Sequence, residues 1–409
     1  MIAQIDGDSR SIIAPAEGRQ PNVLLLMEDY RESYTNAVKA IRESDRMSYE
    51  NLAREAFSRS IYYGDAYLDA FTSAGVSAEQ VIAECWPLQR RWAIEHGVVL
   101  PHELTMRKPL SWFWTRRGLK PPPVSAMERV VDEQIRRAGP DILWVFSGVP
   151  MTDAGVKQWR SSADSAVLWW SCALVESTPY DRFDLILSSI RPLVEEFRSM
   201  GLRAEYMPHA FDARVLDRVR PAEHRTSRMA FVGNITPDHR ERAEFLDALS
   251  RVIEVDFYGL GADFLPPDSP LRARAMGPVW GDDLYRVYAK YALVVHKNID
   301  VAGTSPSAKR LFEATGMGAC VLTEDNRELS ELFEPGSEVV TYRTTDECIV
   351  KARELLAPSS DAYLIGRAGQ RRTLEQHTYT RRVQRLLSLV DNVKAESRGV
   401  AVGSPTPRA

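Results

Sequence analysis

The stretch TSPSAKRLFEATGMGACVLTE, residues 304–324, determines how we read the rest of this chain. Ser305 suits a helix N-cap and Pro306 suits a first helical turn, so we predict a helix that begins there and ends within residues 316–318. The next residues, 319–323, form a short apolar run that is typical of a buried strand. A helix that leads into a buried strand is one unit of an α/β fold.

The beginning of this predicted helix carries hydroxyl groups and positive charges. Ser305, Ser307, Lys309 and Arg310 lie in or before its first turns, and Glu313 follows one turn later. Free N–H groups at a helix N-terminus and adjacent cations attract phosphate, and a nearby carboxylate accepts hydrogen bonds from sugar hydroxyls. The pattern therefore indicates a nucleotide-sugar site. The alternative is an ordinary exposed set of helix pairs with Glu313, each worth about 0.2–0.5 kcal/mol.

Length and composition indicate a globular protein of more than one domain. The chain has 409 residues, of which 44% are hydrophobic and 26% charged, which is enough apolar material for two or three domains. The net charge of -4 gives no general attraction to nucleic acid, although a local basic groove would be compatible with it. Binding of nucleic acid is therefore a secondary hypothesis.

The cysteines and the N-terminus bear on metals and location. The chain has no C-x-x-C pair and no His partner at metal-ligand spacing, so we predict no metal site and expect small buried roles for Cys85, Cys172, Cys320 and Cys348. Residues 1–20 lack the pattern of a secretory signal, and the longest apolar stretch, 166–175, is too short to span a bilayer. We expect a cytoplasmic protein with at most a peripheral membrane contact.

Apolar runs alternate with helical patterns along most of the chain. Six runs in the first half have the length of strands: 22–27, 78–84, 141–146, 166–170, 184–187 and 204–207. Five more follow a charged stretch: 229–232, 255–258, 293–296, 319–323 and 338–342. This alternation predicts an α/β protein with two Rossmann-like, doubly wound parallel sheets.

The same alternation sets the expected domain boundaries. A segment at 358–392 contains a predicted helix, 361–390, that is too long for one face of the second sheet, which makes it a candidate to pack back on the first domain. We expect a flexible leader at 1–20, a first domain at 21–213, a linker at 214–228, a second domain at 229–357, the helical segment at 358–392 and a disordered tail at 393–409.

Several loops of the second domain follow the ends of predicted strands. Because such ends share one edge of a parallel sheet, these loops are expected to face the first domain across a crevice. Gly259-x-Gly261 lacks a third glycine, so we reject a dinucleotide site. The residues predicted to bind a donor are Gly233, Asn234, Gly259, His296, Lys297, Asn298, Ser305, Ser307 and Glu313.

The first domain supplies candidates for acceptor contacts. The polar residues 28–31, which include Asp29, follow the first strand, and His209 lies beside the domain boundary. The alternatives are a solvated loop for residues 28–31 and a structural role for His209. Residues 112–117, WFWTRR, form an aromatic and basic loop that suits a sugar face or a lipid headgroup, or packs onto the domain.

A family resemblance adds to this interpretation. The phrases that carry it are FVGN at 231–234 with Arg240, FYG at 257–259, KRLFEA at 309–314 with Gly318, ELFEPG at 331–336, and HTY at 377–379 with Arg381. In their order and spacing, residues 227–390 resemble the C-terminal domain of GT-B glycosyltransferases of group 1 type, as found in spore-maturation CgeB-like proteins. The N-terminal half is similar only in layout.

The resemblance implies sugar transfer from a nucleotide-diphosphate donor, a UDP- or GDP-sugar, to a glycan, a glycolipid or another hydroxyl acceptor. It also implies retention at the anomeric carbon, with neither a metal ion nor a permanently bound cofactor. Glu313 matches the glutamate that holds the donor ribose, and Lys309 or Arg310 matches a diphosphate contact. Ser305 stands where related retaining enzymes carry a second glutamate, and Ser307 stands where CgeB-like proteins tend to carry Asn.

For the mechanism we expect electrostatic stabilisation of the leaving diphosphate by Arg240, Lys309 or Arg310 and by the helix dipole. Two alternatives remain at this point. One is a glycosyltransferase that acts on nucleic acid, with residues 112–117 as a stacking element. The other is a non-catalytic nucleotide-sugar-binding module, which is suggested by Ser305.

Overall fold

A computed structural model describes residues 21–59, 62–99, 126–222, 224–237, 240–298, 305, 308–397 and 399. Its first sheet has six parallel strands in the order β2-β1-β3-β4-β5-β6. These strands are β1 (Asn22–Met27), β2 (Ser77–Ile82), β3 (Ile142–Phe146), β4 (Ser165–Trp169), β5 (Leu185–Ser188) and β6 (Ala204–Tyr206).

The central strands of this sheet are apolar throughout because helices cover both faces. Trp144 and Trp169 pack into one core and their neighbours Leu143 and Leu168 into the other, as alternate residues of a strand must. The α-helices of this domain are Ser33–Lys39, Tyr49–Phe57, Ala66–Ser73, Trp86–Glu95, Ala126–Ala138, Asp153–Arg160 and Arg191–Ser199. Single 3-10 turns lie at Tyr30–Glu32, Ser44–Arg46 and Tyr180–Arg182.

The second sheet has five parallel strands in the order β11-β10-β9-β7-β8. They are β7 (Thr226–Val232), β8 (Val255–Tyr258), β9 (Tyr291–Val295), β10 (Cys320–Glu324) and β11 (Val340–Tyr342). The helices are Val215–Arg218, Arg240–Ser250, Pro270–Ala273, Asp282–Lys290, Lys309–Gly316 and Thr345–Leu356, with 3-10 turns at Ala262–Phe264 and Leu329–Glu331. The predicted fold class, two doubly wound Rossmann-like sheets, is confirmed.

Several predicted details differ from the structure. The single helix expected at 361–390 is two helices, Ala362–Gln376 and Tyr379–Ser397, because His377 leaves helical geometry and its ring bonds to the Leu332 carbonyl at 2.9 Å. β7 begins at Thr226, inside the linker expected at 214–228. Cys172 is exposed, whereas the other three cysteines are buried as expected, and all four are free thiols.

The last helix packs against the first domain. Tyr379, Val383, Leu386 and Val390 belong to the core that also contains β1 and β3. These residues recur at the spacing of one helical face, so the helix presents a continuous apolar stripe to that core. The Tyr379–Ser397 helix is therefore part of the core of the first domain.

The segment between the domains is held by the same helix. Arg382, 5% exposed, donates to the Pro208 carbonyl at 2.6 Å and to the His209 carbonyl at 2.8 Å. The Phe211 N–H donates to the His377 carbonyl at 2.8 Å. The Phe211 ring also lies on Gly316, where an added Cβ would come within 2.4 Å of the ring. Residues 208–211 are thus fixed from both sides.

None of the helices in the described ranges combines the length and the apolar character that a membrane crossing requires.

Shortening one side chain in the apolar stripe of the last helix should destabilise the first domain. We expect Leu386→Ala to lower the free energy of unfolding by about 2–5 kcal/mol, because Leu386 is fully buried and the change leaves a cavity. Urea unfolding followed by tryptophan fluorescence measures the effect. Gln384→Ala, an exposed change on the same helix, is the matched control. Equal unfolding midpoints for the two variants would contradict the packing described above.

Candidate active site

The Lys309 helix, residues Lys309–Gly316, lies between β9 and β10 in the chain. It begins four residues later than the predicted N-cap Ser305, and Ala308 precedes it in extended geometry without a side-chain cap. Pro306 and Ser307 lie outside the described residues. The predicted end is confirmed, since the helix stops at Gly316 and Gly318 follows with a positive φ of 73°.

Lys309 joins the two domains. Its ammonium group lies 2.9 Å from the carboxylate of Glu313, which is only 3% exposed. It also donates to the backbone carbonyl of Tyr62 in the first domain and lies 5.5 Å from the centroid of the Tyr63 ring. The alternative of an ordinary exposed helix pair is therefore wrong for Lys309 and Glu313.

Arg310 is the second cation of the Lys309 helix. It is half-buried, and among the described residues its guanidinium forms neither a hydrogen bond nor an ion pair. Its charge acts on the neighbouring His296. A guanidinium offers five N–H donors, and a partly buried one without protein acceptors is well suited to bind an anion.

Two buried side chains after β9 also present polar atoms without partners. His296 Nδ1 lies 2.9 Å from the Thr323 hydroxyl, whereas Nε2 has no hydrogen-bond partner in the described part of the chain. The Asn298 N–H donates to Glu324 at 2.8 Å, and its side-chain oxygen has no partner there either. Lys297 is occupied by an ion pair with Glu324. Buried polar atoms are rarely left unpaired, so these two have capacity for a hydrogen bond to water or to a ligand.

His296 is neutral at physiological pH. Burial is the main cause that lowers its pKa to about 3, and the positive charges of Arg242, Arg310 and Lys297 add to this effect. Charging it would place another cation beside these groups. His296 therefore serves as a hydrogen-bonding residue and contributes no charge to the site.

The two glycine loops of the second domain pack against each other. An added Cβ at Gly259 would lie 1.9 Å from the Gly233 carbonyl oxygen, and one at Gly261 would lie 1.8 Å from the Ile235 oxygen. Asn234 Oδ1 accepts a hydrogen bond from the Leu260 N–H at 3.0 Å. The glycines are thus required by the close approach of the loops, and the predicted contact of Gly233 and Gly259 with a diphosphate stays a prediction.

Arg240 and Arg242 occupy different environments. The Arg240 side chain is 84% exposed and pairs with Glu244 at 2.7 Å, so the structure does not bring it to the other predicted residues. Arg242 is buried and donates to the carbonyls of Asn234 and Lys297, both at 3.0 Å. Arg242 thereby fixes two of the strand-end loops.

The burial of Arg242 could have been predicted from the sequence. Arg242, Phe245, Leu246 and Leu249 follow the spacing of one helical face, and all four are buried. An arginine on an apolar face is expected to find acceptors inside the protein. The sequence interpretation singled out Arg240 because it lies beside a recognisable phrase, and it missed Arg242.

Ser305 is connected to a carboxylate that the sequence analysis overlooked. It is 1% exposed, and its hydroxyl donates to Glu328 at 2.9 Å. The Arg191 N–H of the first domain lies 3.5 Å from the same hydroxyl, and Arg191 Nε lies 3.6 Å from Glu328. Glu328 comes from the loop after β10, so only the folded chain brings its carboxylate to Ser305.

Asp29 has a structural role in the first domain. Its carboxylate accepts hydrogen bonds from the Tyr34 N–H at 2.7 Å, the Thr35 N–H at 3.0 Å and the Thr35 hydroxyl at 2.5 Å. These bonds satisfy the free N–H groups at the start of the Ser33–Lys39 helix. Little of Asp29 remains available for a substrate.

Glu28 is the more available carboxyl group at this edge. No hydrogen bond to its side chain is found within the described residues. Burial, and then the negative charges of Glu84 and Asp29, together raise its pKa to about 7. It therefore exchanges a proton near neutral pH.

His209 follows β6 in the chain, and its pKa is affected by the positive charge of Lys309. Its Nε2 lies 3.3 Å from the Ser189 hydroxyl, its ring centroid is 5.3 Å from that of Trp169, and Nδ1 has no partner among the residues described. Burial, and then the charges of Lys309 and Arg382, lower its pKa to about 3. His209 is thus a neutral residue with one open nitrogen.

Two further points concern the remaining predictions. Residues 112–117, the aromatic and basic loop, lie outside the described residues. Within the described ranges there is no group of three or more His, Cys, Asp or Glu side chains that would suit a metal ion.

The neutral state of the buried histidines can be tested directly. The pKa values of His209, His296 and His377 lie at about 3, 3 and 4, with burial as the main cause. We expect their imidazole proton resonances in NMR spectra to stay unshifted between pH 7.5 and pH 5.5. His296→Gln and His377→Gln variants assign the signals. A His296 signal that moves with a midpoint near 6.5 would contradict the burial of this ring.

The same histidines contribute to stability in a known direction. Their folded pKa values lie below the unfolded value near 6.5, so the unfolded chain binds protons first as the pH falls. The stabilising contribution of each neutral ring is complete above pH 6.5 and is lost progressively towards its folded pKa. Compared with wild type, His296→Gln should show a smaller loss of unfolding free energy between pH 6.5 and pH 4.5.

We compared the chain with protein families and with solved structures. Residues 240–388 match the family model described as glycosyl transferase-like. No curated protein matches the chain by sequence. Among solved structures, the chain is similar to a glycosyltransferase from Rickettsia africae, with 9% identity, 92% of this chain and 99% of that chain covered, and a TM-score of 0.56.

Two further structures extend the comparison. Anabaena Alr3699/HepE in complex with UDP and glucose has 11% identity, covers 91% of this chain and 100% of its own, and gives a TM-score of 0.53. Against a chain of the GtfA/B complex the identity is 14% and the TM-score 0.45, with 67% of this chain and 62% of that chain covered. The first two structures, whose TM-scores exceed 0.5, show at these identities the fold alone, which is GT-B. The glycosyl transferase-like family model, which matches residues 240–388, supports a glycosyltransferase.

Proposed function

We propose that this protein transfers a sugar from a nucleotide-diphosphate donor to a hydroxyl group of a glycan or glycolipid, with retention and without a metal ion. The observation that carries this proposal is the unpaired Arg310 guanidinium beside His296, whose Nε2 is also unpaired among the described residues. A guanidinium binds diphosphate oxygens, and a neutral imidazole donates or accepts one hydrogen bond. The proposal includes a CgeB-like type and a cytoplasmic location.

The donor contacts follow from the charges at the Lys309 helix. Arg310 binds the diphosphate, and the free N–H groups of the helix start add to its attraction. Glu313 accepts hydrogen bonds from the ribose when Lys309 turns from it towards the diphosphate. Arg240 would join as a further cation by leaving Glu244. UDP and GDP are the expected donor nucleotides, and the UDP-bound structure of Alr3699/HepE supports the first.

The proposed chemistry needs no protein base. The acceptor oxygen bonds to the anomeric carbon while the bond from that carbon to the diphosphate oxygen breaks. The acceptor proton passes to the leaving phosphate, whose added charge is balanced by Arg310 and Lys309. Both substrates must be held in the cleft for this step. Glu28 and His209 are the acceptor-side candidates with open polar atoms, whereas the Asp29 carboxylate is largely occupied by Tyr34 and Thr35.

Glu328 supplies the carboxylate that the resemblance expects at position 305. Its oxygen lies 2.9 Å from the Ser305 hydroxyl, which replaces the glutamate of related retaining enzymes. We infer that Ser305 and Arg191 orient Glu328 towards the transferred sugar. This assignment favours an active enzyme over a non-catalytic binding module. An acceptor of nucleic acid stays the secondary alternative.

Removing the guanidinium of Arg310 should strongly reduce the rate of sugar transfer. We expect Arg310→Ala to lower kcat/KM for sugar transfer by about 100–1000-fold, because the developing diphosphate charge loses a preorganised donor. Glu313→Ala should weaken binding of the nucleoside diphosphate. Thermal shift with UDP and GDP, followed by a donor hydrolysis assay, measures both effects.

Arg353→Ala is the matched control for these variants. Arg353 is an exposed arginine of the second domain, on the Thr345–Leu356 helix, and it has no ion pair among the described residues. Wild-type behaviour is expected of it. If Arg310→Ala and Glu313→Ala hydrolyse the donor at the same rate as Arg353→Ala, the site assignment is wrong.

Glu328→Gln separates catalysis from donor binding. The amide keeps the shape and a hydrogen bond to Ser305 but removes the negative charge. We expect kcat to fall by about tenfold or more while the dissociation constant for the nucleoside diphosphate changes less than twofold. Glu354→Gln, an exposed change in the same domain, is the control. Equal losses in nucleotide binding and turnover would assign Glu328 a structural role only.

A further inference from the structure

A cavity of about 490 Å³ opens between the domains on the side of β6. Its walls come from the Arg191–Ser199 helix and β6 of the first domain, the loop after β10 of the second domain, and both C-terminal helices. A ligand in this cavity would touch both domains. This volume lies in the range of small-molecule sites.

The lining of the cavity is positively charged. Its five arginines outnumber its three glutamates, Glu195, Glu205 and Glu331. Arg198 pairs with Glu195 at 3.2 Å and with Glu205 at 3.3 Å, and Arg191 pairs with Glu331. These pairs use all three carboxylates. The remaining arginines of the lining are Arg372, Arg382 and Arg385.

The three remaining arginines differ in how far they are occupied. Arg382 donates to backbone carbonyls and to His377 Nδ1. Arg372 Nε donates to the Leu332 carbonyl at 3.0 Å and lies 3.8 Å from the Glu338 carboxylate, which leaves its terminal N–H groups without a hydrogen bond among the described residues. Arg385 is exposed and has neither a hydrogen bond nor an ion pair among the residues that the structure describes. His377 adds no charge, because burial lowers its pKa to about 4. Positive charge in the cavity is therefore left unbalanced.

Two buried donors in the same lining also lack acceptors. Tyr206 is 8% exposed, and its hydroxyl has no hydrogen-bond partner in the described part of the chain. Arg191 Nε also has no hydrogen bond there, although it lies 3.6 Å from the Glu328 carboxylate, and its guanidinium lies 4.0 Å above the Tyr206 ring. A buried donor without an acceptor destabilises the folded protein, because it has lost its hydrogen bonds to water. Oxygen atoms of a ligand would remove that destabilisation.

We propose that this cavity binds a compact phosphate-bearing small molecule at a site separate from the Lys309 helix. A phosphate group supplies the several acceptor oxygens that Arg385, Arg372 and the Tyr206 hydroxyl require, and guanidinium groups match its geometry. The cavity has room for a sugar-sized body beside the phosphate. The proposal does not depend on sugar transfer, because Arg385, Arg372 and Tyr206 take no part in the proposed donor site; Arg191 is the lining residue that also contacts Glu328.

Such a ligand would act on the arrangement of the domains. Tyr206 belongs to the first domain and Arg372 to the segment that follows the second, so one bound phosphate would bridge them. A ligand that binds only the joined arrangement stabilises it by mass action. Occupancy of the cavity should therefore raise the thermal stability of the whole protein.

Calorimetric titration with inorganic pyrophosphate tests the proposal. The Arg310→Ala protein is used as background, so that binding at the Lys309 helix is suppressed. In that background we expect Arg385→Gln to weaken pyrophosphate binding by about tenfold, and Tyr206→Phe to weaken it by a smaller factor. The exposed Arg371→Gln, on the Ala362–Gln376 helix but outside the lining, should leave it unchanged.

The possible results separate the two proposals. Pyrophosphate binding that Arg310→Ala abolishes entirely would overturn the cavity site and leave the donor site standing. Binding that persists in Arg310→Ala and falls with Arg385→Gln, but not with Arg371→Gln, would support the cavity site whatever the catalytic activity. Equal losses in Arg385→Gln and Arg371→Gln would show general charge attraction and overturn the proposal. Arg385→Gln removes an exposed side chain, and Tyr206→Phe keeps the ring, so both variants are expected to fold.

Discussion

The buried guanidinium of Arg382 is the interaction on which the two-domain arrangement depends. It lies in the last helix, which packs into the core of the first domain, and it donates to the carbonyls of Pro208 and His209 in the segment that joins the domains. Burial lowers its pKa to about 10, which still leaves it charged at neutral pH. A buried charge is tolerated when every donor has an acceptor, and here the acceptors are backbone carbonyls and a histidine nitrogen.

The positive charges around the cleft fall into two groups. Arg242, Arg382 and Lys309 are held by protein carbonyls or by Glu313, and they fix loops or domains. Arg310 has no such acceptor among the described residues, although it is the immediate neighbour of Lys309. Because consecutive helix residues point about 100° apart, one of the pair faces the first domain and the other stays open to a ligand.

Much of the fold could be predicted from local patterns. Continuous apolar runs such as ILWVF in β3 mark strands buried on both faces, and their alternation with helices determines a parallel sheet. The break at His377 could not be predicted, because residues 362–397 keep a helical pattern and only the contact with Leu332 interrupts them. The late start of the Lys309 helix was missed because Ser305 has N-cap chemistry and instead donates to Glu328.

The candidate site shows a similar division. Glu313 and Arg310 could be named because they share one helix, where spacing predicts position. Glu328, Arg191 and the Tyr62 carbonyl come from three segments far apart in the chain, so no local pattern joins them. Arg242 could be predicted in part. The helical spacing indicates that it lies on the buried face, but it does not identify the two carbonyls to which it donates.

The contact between Lys309 and the Tyr62 carbonyl implies an order of events in the cleft. One ammonium group cannot keep the Tyr62 carbonyl and Glu313 fully bonded while it also moves to a diphosphate. Tyr62 itself has a positive φ of 55°, a backbone geometry that costs free energy in a tyrosine and needs support from its surroundings. Arrival of the donor would withdraw part of that support. Tyr62 would then be held less firmly when the donor is bound than when the cleft is empty, so an acceptor would meet a different surface beside Tyr62 after donor binding than before it.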